Sequence, residues 1–209
     1  MKNRSSSQEE EIRERWDSMY RTSTPEELPW DENKPNEELV RLIDSGQIEK
    51  GAVLDICSGT GNNAIFLAKK GYACYGIDIS PTAVKYAHQK AQKQGVSCDF
   101  SQGNASRLDY PEDHFTLVFD RGCFHSISAK NRASFIKGIH RILRSRGKYL
   151  LLCFSTKDHP DTGLPHSFSP GDIERIFSKL FKIEQIKESV HEAKGTRRVF
   201  LAVLLEKLP

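Results

Sequence analysis

The sequence predicts an α/β protein with a doubly wound sheet of seven strands, parallel except for one strand in a C-terminal hairpin, behind an N-terminal helical segment. Three observations predict this fold. Short apolar runs alternate with segments of helical periodicity from residue 52 onward, which is typical of a parallel sheet covered on both faces. A glycine-rich loop follows the first of these runs, and a short turn separates the last two.

Two helices are predicted before the first strand. Ser7 and Glu10 form a capping-box pattern, after which apolar residues recur on one helical face. A second helix is predicted over residues 36–45, where Gly46 ends it. The loop between them is rich in proline and acidic residues and contains Trp30, whose large ring has to be buried against another element.

The remaining elements alternate between strand and helix. Ser80 and Ser169, each followed by a proline, are favoured helix starts, and Ser128 is the expected cap of the helix between them. The last two strands flank the turn Lys194-Gly195-Thr196 and form an antiparallel hairpin. The predicted strands cover residues 52–57, 72–77, 97–102, 115–119, 148–154, 183–190 and 198–205, and the predicted helices cover residues 62–71, 81–95, 128–143 and 171–180.

The segment from Val53 to Ala64 reads as a buried strand, a glycine loop and the start of a helix. Gly59, Gly61 and Ala64 satisfy the pattern G-x-G-x-x-G/A, whose small residues allow the backbone to approach a nucleotide cofactor closely. Asp78 ends the second strand, about 20 residues further on, where a ribose-binding acid is expected. The combination indicates a Rossmann-like cofactor-binding fold.

Asp55 distinguishes between two classes of cofactor. In dinucleotide sites the glycine loop and the helix N-terminus bind a pyrophosphate, which a carboxylate at the strand end would repel. The same carboxylate suits the ammonium and sulfonium of S-adenosylmethionine (SAM). At an effective dielectric near 20 and a distance of about 4 Å, attraction and repulsion differ by roughly 8 kcal/mol. The alternative is that Asp55 only caps neighbouring backbone N–H groups.

With these motifs the chain resembles the class I SAM-dependent methyltransferases over essentially its whole length. The resemblance implies that the strand-end acid and the glycine loop hold the methionyl part of SAM, that the second acid binds the ribose, and that an amide after the third strand binds the adenine. The cofactor-binding residues that it implies are Asp55, Cys57, Ser58, Gly59, Gly61, Asp78, Ile79, Asn104 and Ala105. One departure is Cys57, because the family usually has glycine there and a side chain crowds the backbone. Asn104 has an alternative role as an ordinary turn residue.

Further motifs resemble the thiopurine, halide/thiol and tellurite-type small-molecule methyltransferases. They are Trp16 and Tyr20, the segment Pro29-Trp30-Asp31, the segment 119–125 after strand four, and the segments Asp158-His159 and Gly163-Leu164-Pro165 after strand five. In that group the N-terminal segment, here residues 1–46, folds over the cofactor, which would bury Trp30 and make it a further cofactor-binding residue. Residues 47–209 would form the core of the same single domain, and the loop 155–168 would be a lid.

The residues after strand four suggest how an acceptor is bound. We predict that Arg121 contacts the cofactor or an anionic substrate, and that His125 is the catalytic residue, which accepts a proton or orients the nucleophile. The alternative for His125 is a hydrogen bond within its own loop. The Asp/Asn-Pro-Pro-aromatic box of amine methyltransferases is missing, so the expected acceptor is a thiol, chalcogen, halide or heterocycle. A dinucleotide-dependent oxidoreductase and a non-catalytic SAM-binding scaffold are the alternative functions.

The net charge and the lengths of the apolar runs indicate which partners the chain can bind. The 209 residues carry a formal net charge of only +3, which shows no electrostatic footprint for nucleic acid. The most basic stretch, residues 141–148, is predicted to be the solvated end of a helix. No apolar run is long enough to cross a membrane. We expect a small-molecule substrate, no nucleic acid or membrane partner, and a monomer or weak dimer.

The five cysteines form no C-x-x-C pair, so free thiols and a cytoplasmic location are expected. Cys57, Cys123 and Cys153 could meet at the strand ends and hold a soft metalloid, and Asp158, His159 and His166 are a second conceivable ligand set. The three cysteines have no ligand-like local spacing, and the second set lies in a loop that we expect to be solvated and to order on substrate binding. We therefore predict no metal site.

Overall fold

The computed structural model describes residues 3–159 and 165–209, with side chains from residue 8 onward except that of Ala193. A seven-stranded sheet has the order β3-β2-β1-β4-β5-β7-β6, and β7 alone runs opposite to the other six strands. The elements are α1 (Asn3–Thr22), α2 (Glu37–Asp44), β1 (Ala52–Ile56), α3 (Asn62–Lys69), β2 (Ala73–Asp78), α4 (Pro81–Lys93), β3 (Asp99–Gln102), β4 (Phe115–Arg121), a 3-10 turn (Phe124–Ser126), α5 (Ala129–Ile142), β5 (Leu143–Phe154), α6 (Pro170–Phe177), β6 (Phe181–Ala193) and β7 (Thr196–Lys207). The predicted α/β class and its C-terminal hairpin are confirmed.

Both faces of the sheet are covered because side chains alternate along each strand. Leu54 and Val118 face α5 and α6 in one core cluster. Val53, Leu117 and Phe119 face α2 and α3 in a second cluster. Both faces of the central strands are therefore apolar, which explains the continuous apolar runs in the sequence.

Two helix starts follow the predicted caps, because Ser80 caps α4 and Ser169 forms a capping box with Asp172 at the start of α6. Asn36, predicted as the first residue of the second helix, is the N-cap of α2. Ser128 precedes α5 as predicted, but its hydroxyl forms no capping hydrogen bond.

Two boundaries are wrong in the sequence prediction. Helix α1 begins at Asn3, so Ser7 lies inside the helix, because no glycine or proline between them stops it. Residues 143–148 of the basic stretch belong to β5 and not to a helix end, since Leu143 is buried and pairs with Phe115 of β4. Tertiary pairing overrides the helical periodicity there.

The strand order has a topological switch point between β1 and β4, where open α/β sheets bind ligands beyond the carboxyl ends of the strands. Ile56 of β1 lies beside Asp120 of β4. The loops that follow these two strands therefore start next to each other. No helix of the described ranges has the length and apolar composition that crossing a membrane requires.

Asp120 fixes the loop after β4. Its carboxylate is fully buried and accepts hydrogen bonds from the backbone N–H of Cys123 (2.8 Å) and of Phe124 (3.1 Å) and from the Tyr149 hydroxyl (2.8 Å). Burial raises the pKa of Asp120 to about 7, although the hydrogen bond from Tyr149 acts against the shift. The side chain therefore holds the loop together. Its raised pKa means that ionising it in the folded protein costs free energy of folding as the pH rises.

Helix α1 is attached to the core through another buried carboxylate. Asp17 is 2% exposed and accepts hydrogen bonds from Ser80 Oγ (2.6 Å) and from the Thr82 N–H (2.9 Å), at the start of α4. Arg21 also donates to Asp17, at 2.6 Å, and to the exposed Glu14. Asp17 thus connects the N-terminal segment to the helix that follows β2.

We expect Asp17→Ala to lower the free energy of unfolding by about 2–3 kcal/mol, because it leaves buried donors of α4 without an acceptor. Chemical denaturation followed by circular dichroism measures the change. Glu14→Ala is the matched control, since it removes an exposed partner of the same arginine and should cost less than about 0.5 kcal/mol. Equal losses in the two variants would mean that Asp17 does not attach α1.

We expect Asp120→Asn to change how stability depends on pH. The folded-state pKa lies above that of the unfolded chain, so the stabilising contribution of the protonated carboxyl is present at low pH and is lost as pH rises toward about 7. The stability of the wild type relative to the Asn variant should fall by roughly 2–3 kcal/mol between about pH 5 and about pH 8. Urea denaturation of both proteins at the two pH values measures it, and a pH-independent difference would contradict it.

Candidate functional site

The glycine loop between β1 and α3 has the conformation that its sequence requires. Gly59 (φ +52°) and Gly61 (φ +80°) lie in the left-handed region, and Gly61 is the N-cap of α3. A Cβ on Gly61 would lie 2.7 Å from a ring carbon of Phe100, so a larger residue would push the helix from the sheet. The Gly59 N–H donates to Asp78 Oδ2 at 2.9 Å and ties the loop to the end of β2.

Ser58 lies on the underside of this loop. Its Oγ is 3.0 Å from the place that a Cβ on Gly76 of β2 would occupy, and it has no hydrogen-bond partner among the described residues. Its backbone N–H donates to Ile77 O at 3.0 Å. The backbone of Ser58 shapes the loop, whereas its hydroxyl faces the sheet.

Two buried carboxylates lie beneath the loop. Asp55 accepts the Ala64 N–H at 3.2 Å, which is the predicted capping alternative, and Asp78 accepts from Gly59 and from the Ser80 N–H at 2.9 Å. Burial raises the pKa of both carboxyls, and backbone hydrogen bonds oppose the shift. A cationic ligand would stabilise the charged forms of the two carboxyls, whereas both carboxylates would repel a pyrophosphate. This donor set fits SAM.

The site predicted for adenine borders a cavity of ≈250 Å³. Its lining combines Ile79, Gln102, Gly103 and Asn104 at the sheet edge with Glu9, Glu10 and Arg13 of α1. Asn104 Oδ1 accepts the Ser106 N–H at 2.9 Å, so the amide also acts as a turn residue. Ala105 is buried in the core and does not line the cavity.

The N-terminal segment lies over the glycine loop. Trp30 Nε1 donates to the Tyr20 hydroxyl at 3.0 Å, and the Trp30 ring contacts those of Trp16 and Tyr20 edge to face, at 5.7 and 6.0 Å between centroids. The Tyr20 hydroxyl is 3.0 Å from the place that a Cβ on Gly59 would take. Trp30 is therefore packed on α1, directly above the loop.

Residues 30–32, here called the strap, fasten this segment to the core. Asp31 accepts from Thr60 Oγ1 and from Asn62 Nδ2, the latter at 2.7 Å. Arg121 Nη1 donates to the Trp30 carbonyl at 2.6 Å, and Nη2 forms an ion pair with Glu32. Arg121, predicted to contact the cofactor or the substrate, thus contacts the strap.

Sequence reasoning missed the roles of Tyr20, Asp31 and Glu32. The segment Pro29-Trp30-Asp31 was part of the family resemblance, which is the signal that could have pointed to Asp31. Glu32 had no such signal because its partner Arg121 is 89 residues away.

Cys57 and Cys123 face each other across the switch point. Cys57 follows β1 with φ +56°, in the left-handed region that favours glycine, and its side chain turns toward the loop after β4. The two sulfurs are joined in a disulfide, with 5.6 Å between the Cα atoms. The expectation of free thiols is therefore wrong for this pair, because the register of β1 and β4 brings together residues that are 66 positions apart. Cys153 is buried and free.

No group of three or more metal-ligating side chains is found within the ranges that the structure describes. In the loop after β5, Asp158 Oδ2 accepts the Val199 N–H of β7 at 2.8 Å and so attaches the loop to the sheet. Gly163 and Leu164 lie outside the described residues.

His125 lies in the 3-10 turn after β4 and is 7% exposed. Its ring stacks on Phe154 with 4.1 Å between centroids, and Nδ1 accepts the Phe154 N–H at 3.3 Å. Burial lowers the pKa of His125 to about 3, and the neighbouring His159 and Arg121 add to the shift. The imidazole is neutral at physiological pH, so the hydrogen bond at Nδ1 assigns the proton to Nε2.

Comparisons with known proteins show a methyltransferase domain. A family model described as a methyltransferase domain matches residues 53–147. The chain is 29% identical to the 2-heptyl-1-hydroxyquinolin-4(1H)-one methyltransferase of Mycobacteroides abscessus, covering 89% of this chain and 84% of that protein. It is 26% identical to thiocyanate methyltransferase 1 of Brassica oleracea, covering 82% and 77%. An uncharacterized methyltransferase of Schizosaccharomyces pombe is 34% identical over 56% of this chain and 79% of that protein.

Solved structures show the same architecture. One comes from work on the conversion of a disulfide bond into a thioacetal group during echinomycin biosynthesis, with TM-score 0.82, 27% identity, and coverage of 94% of this chain and 93% of that chain. Another is the 1,6-didemethyltoxoflavin-N1-methyltransferase of Burkholderia thailandensis with bound S-adenosylhomocysteine, with TM-score 0.77, 17% identity, and coverage of 95% and 88%. Its likeness concerns the fold.

The carboxylates and glycine loop, the sheet order and the relatives agree on one cofactor and one kind of reaction, the transfer of a methyl group from SAM to a small molecule. The chain belongs to the class I SAM-dependent methyltransferases.

Proposed function

We propose that this methyltransferase acts on a planar heteroaromatic molecule that carries an acidic N–OH, OH or SH group. The observation that carries the proposal is the neutral His125 imidazole, stacked on Phe154 beside the switch point. An acceptor that ionises readily needs orientation and the exclusion of water more than it needs a strong base. His125 offers an Nε2–H donor in an aromatic setting.

The neighbourhood of His125 supports a flat acceptor. Phe154 lies 5.0 Å from Phe200 and 4.8 Å from His159, measured between ring centroids. The ring of His191 on β6 lies 5.0 Å from that of Phe200. Aromatic rings prefer offset or edge-to-face neighbours at such distances, so a heteroaromatic ring fits this group of side chains.

His125 is a donor in this proposal. A histidine with a pKa of about 3 is a weak base near pH 7, and the Phe154 N–H already occupies its Nδ1. A hydrogen bond from Nε2–H to the acceptor would hold the ionised oxygen or sulfur in line for transfer. Of the two predicted roles for His125, orientation of the nucleophile is the one we propose.

We propose the cofactor position from the same geometry. SAM supplies an electrophilic methyl group on a sulfonium. Asp55 and the loop of Gly59 and Gly61 would hold its methionyl end, Asp78 and Ile79 its ribose, and Asn104 its adenine. Tyr20 and Trp30 would close over it, and Arg121 would act by fastening the strap. Ser58 and Ala105 would contribute through the backbone.

The remaining expectations stay proposals. Residues 1–46 would be the N-terminal cap and residues 47–209 the core of one domain. We propose a cytoplasmic monomer or weak dimer that does not bind nucleic acid, in line with the small net charge of +3.

A panel of acceptors tests the substrate class. Methyl transfer from tritiated SAM to an N-hydroxyquinolinone, an aromatic thiol, iodide and thiocyanate is measured with the wild type. We expect the two ring-bearing acceptors to have values of kcat/KM at least roughly tenfold above those of the anions. Anions that are methylated as fast as the ring acceptors would contradict the proposal and favour a small soft nucleophile.

The role of His125 is tested with the accepted ring compound. We expect His125→Ala to lower kcat/KM by roughly 10- to 100-fold between about pH 6 and about pH 9, and His125→Gln, which keeps an N–H donor, to recover part of it. The pH profile should keep the shape of the wild type. A limb of the profile that disappears in both variants would show that His125 is a base. His114→Gln, at the opposite end of β4, is the matched control.

Binding of S-adenosylhomocysteine tests the cofactor position separately. We expect Asp55→Asn and Asp78→Asn each to weaken binding by about 1.4–2.8 kcal/mol, or 10- to 100-fold, in calorimetric titrations. Asp44→Asn, an exposed partner of Lys70, should leave the affinity unchanged. Wild-type affinity in both site variants would move the cofactor away from this loop.

A further inference from the structure

We propose that Cys57 and Cys123 form a reversible dithiol–disulfide pair that controls cofactor binding, the dithiol form binding the cofactor more tightly than the disulfide form. The inference rests on the proposed position of SAM over the glycine loop. It concerns a modification of the site and is independent of the acceptor.

The pair joins the two loops that border the switch point. Cys57 directly precedes Ser58 and the glycine loop, and Cys123 directly precedes the 3-10 turn that carries His125. With 5.6 Å between the Cα atoms, the bond spans the gap between the ends of β1 and β4. Ligands of open α/β sheets bind above this gap.

The two cysteines differ in access to solvent. Cys57 is only partly buried, whereas Cys123 is 2% exposed. A small oxidant therefore reaches the sulfur of Cys57 first. SAM in the proposed position would cover Cys57, so oxidation and cofactor binding compete for the same residue.

A peroxide is the oxidant that the proposal requires. The Cys57 thiolate attacks one peroxide oxygen, the O–O bond breaks, and Cys57 becomes a sulfenic acid as hydroxide leaves. The Cys123 thiol then attacks the Cys57 sulfur, loses its proton and releases the hydroxyl as water. The two thiols lose two electrons and the peroxide gains them. A cellular dithiol reverses the reaction by thiol–disulfide exchange.

The disulfide restricts the site because it joins the glycine loop covalently to the loop after β4. The Cys123 side cannot move easily, since its N–H is held by the buried Asp120 at 2.8 Å. Reduction therefore releases the Cys57 side, which carries the glycine loop. Disulfides of cytoplasmic proteins are commonly transient and redox-sensing, which agrees with the proposed location.

Calorimetric binding of S-adenosylhomocysteine to the reduced and the peroxide-treated protein tests the proposal. Intact-mass and peptide analysis verify that the Cys57–Cys123 bond has formed in the treated sample. We expect the oxidised form to bind at least about tenfold more weakly, and dithiothreitol to restore the affinity. By linkage, saturating S-adenosylhomocysteine should shift the thiol–disulfide equilibrium toward the dithiol by the same factor, about 30 mV for tenfold.

Two variants control for other thiols. Cys123→Ser should bind S-adenosylhomocysteine like the reduced wild type and form no disulfide with Cys57. Cys98→Ser removes the other partly exposed cysteine, which neighbours Cys74, and should respond to peroxide as the wild type does. A response that is lost in Cys98→Ser would assign the effect to Cys74 and Cys98 and overturn the proposal.

The outcomes separate the two proposals. Equal affinity of the reduced and oxidised forms, or no Cys57–Cys123 bond after peroxide, overturns the redox control while the cofactor site stands. A reduced protein that does not bind S-adenosylhomocysteine refutes the proposed cofactor position instead.

Discussion

Three buried carboxylates at the ends of neighbouring strands are the constraint on which the site depends. Asp78 accepts the Gly59 N–H, Asp55 accepts the Ala64 N–H, and Asp120 accepts the N–H groups of Cys123 and Phe124. Each carboxylate thus shapes the loop that passes over it. Burial raises the pKa of all three, which means that the fold keeps acids in a place where their charge is unfavourable. A cation above them would relieve this cost.

The N-terminal segment packs on the glycine loop from the side opposite to the buried carboxylates. The segment is attached to the core through Asp17, which is buried, and Asp17 is paired with Arg21, which is half exposed. Asp31 and Arg121 attach the strap to α3 and β4, next to the loops that the carboxylates shape. The N-terminal segment and these loops are therefore joined by one set of hydrogen bonds.

The sequence predicted the features that depend on local chemistry. The strands, the glycine loop, the caps of α4 and α6, and the C-terminal hairpin follow from periodicity and from short-range hydrogen bonds. The packing of Trp30 followed from the physical need to bury an indole ring.

Features that depend on long-range pairing could not be predicted in this way. The Cys57–Cys123 bond and the ion pair of Arg121 with Glu32 join residues 66 and 89 positions apart. The register of β1 and β4 brings the two cysteines together, whereas the packing of the N-terminal segment brings Glu32 to Arg121. The change of residues 143–148 from helix to strand has the same origin, because Leu143 pairs with β4.

The strap also has a kinetic consequence. With the cofactor in the proposed position, Tyr20 and Trp30 lie over its exit, and the cover cannot lift until Arg121 releases the Trp30 carbonyl and Glu32, and Asp31 releases α3. These contacts are polar and mostly shielded from water, so breaking one of them leaves a largely buried polar group without its partner. Release of S-adenosylhomocysteine from the proposed position then requires the strap contacts to break, so their stability influences the rate of product release.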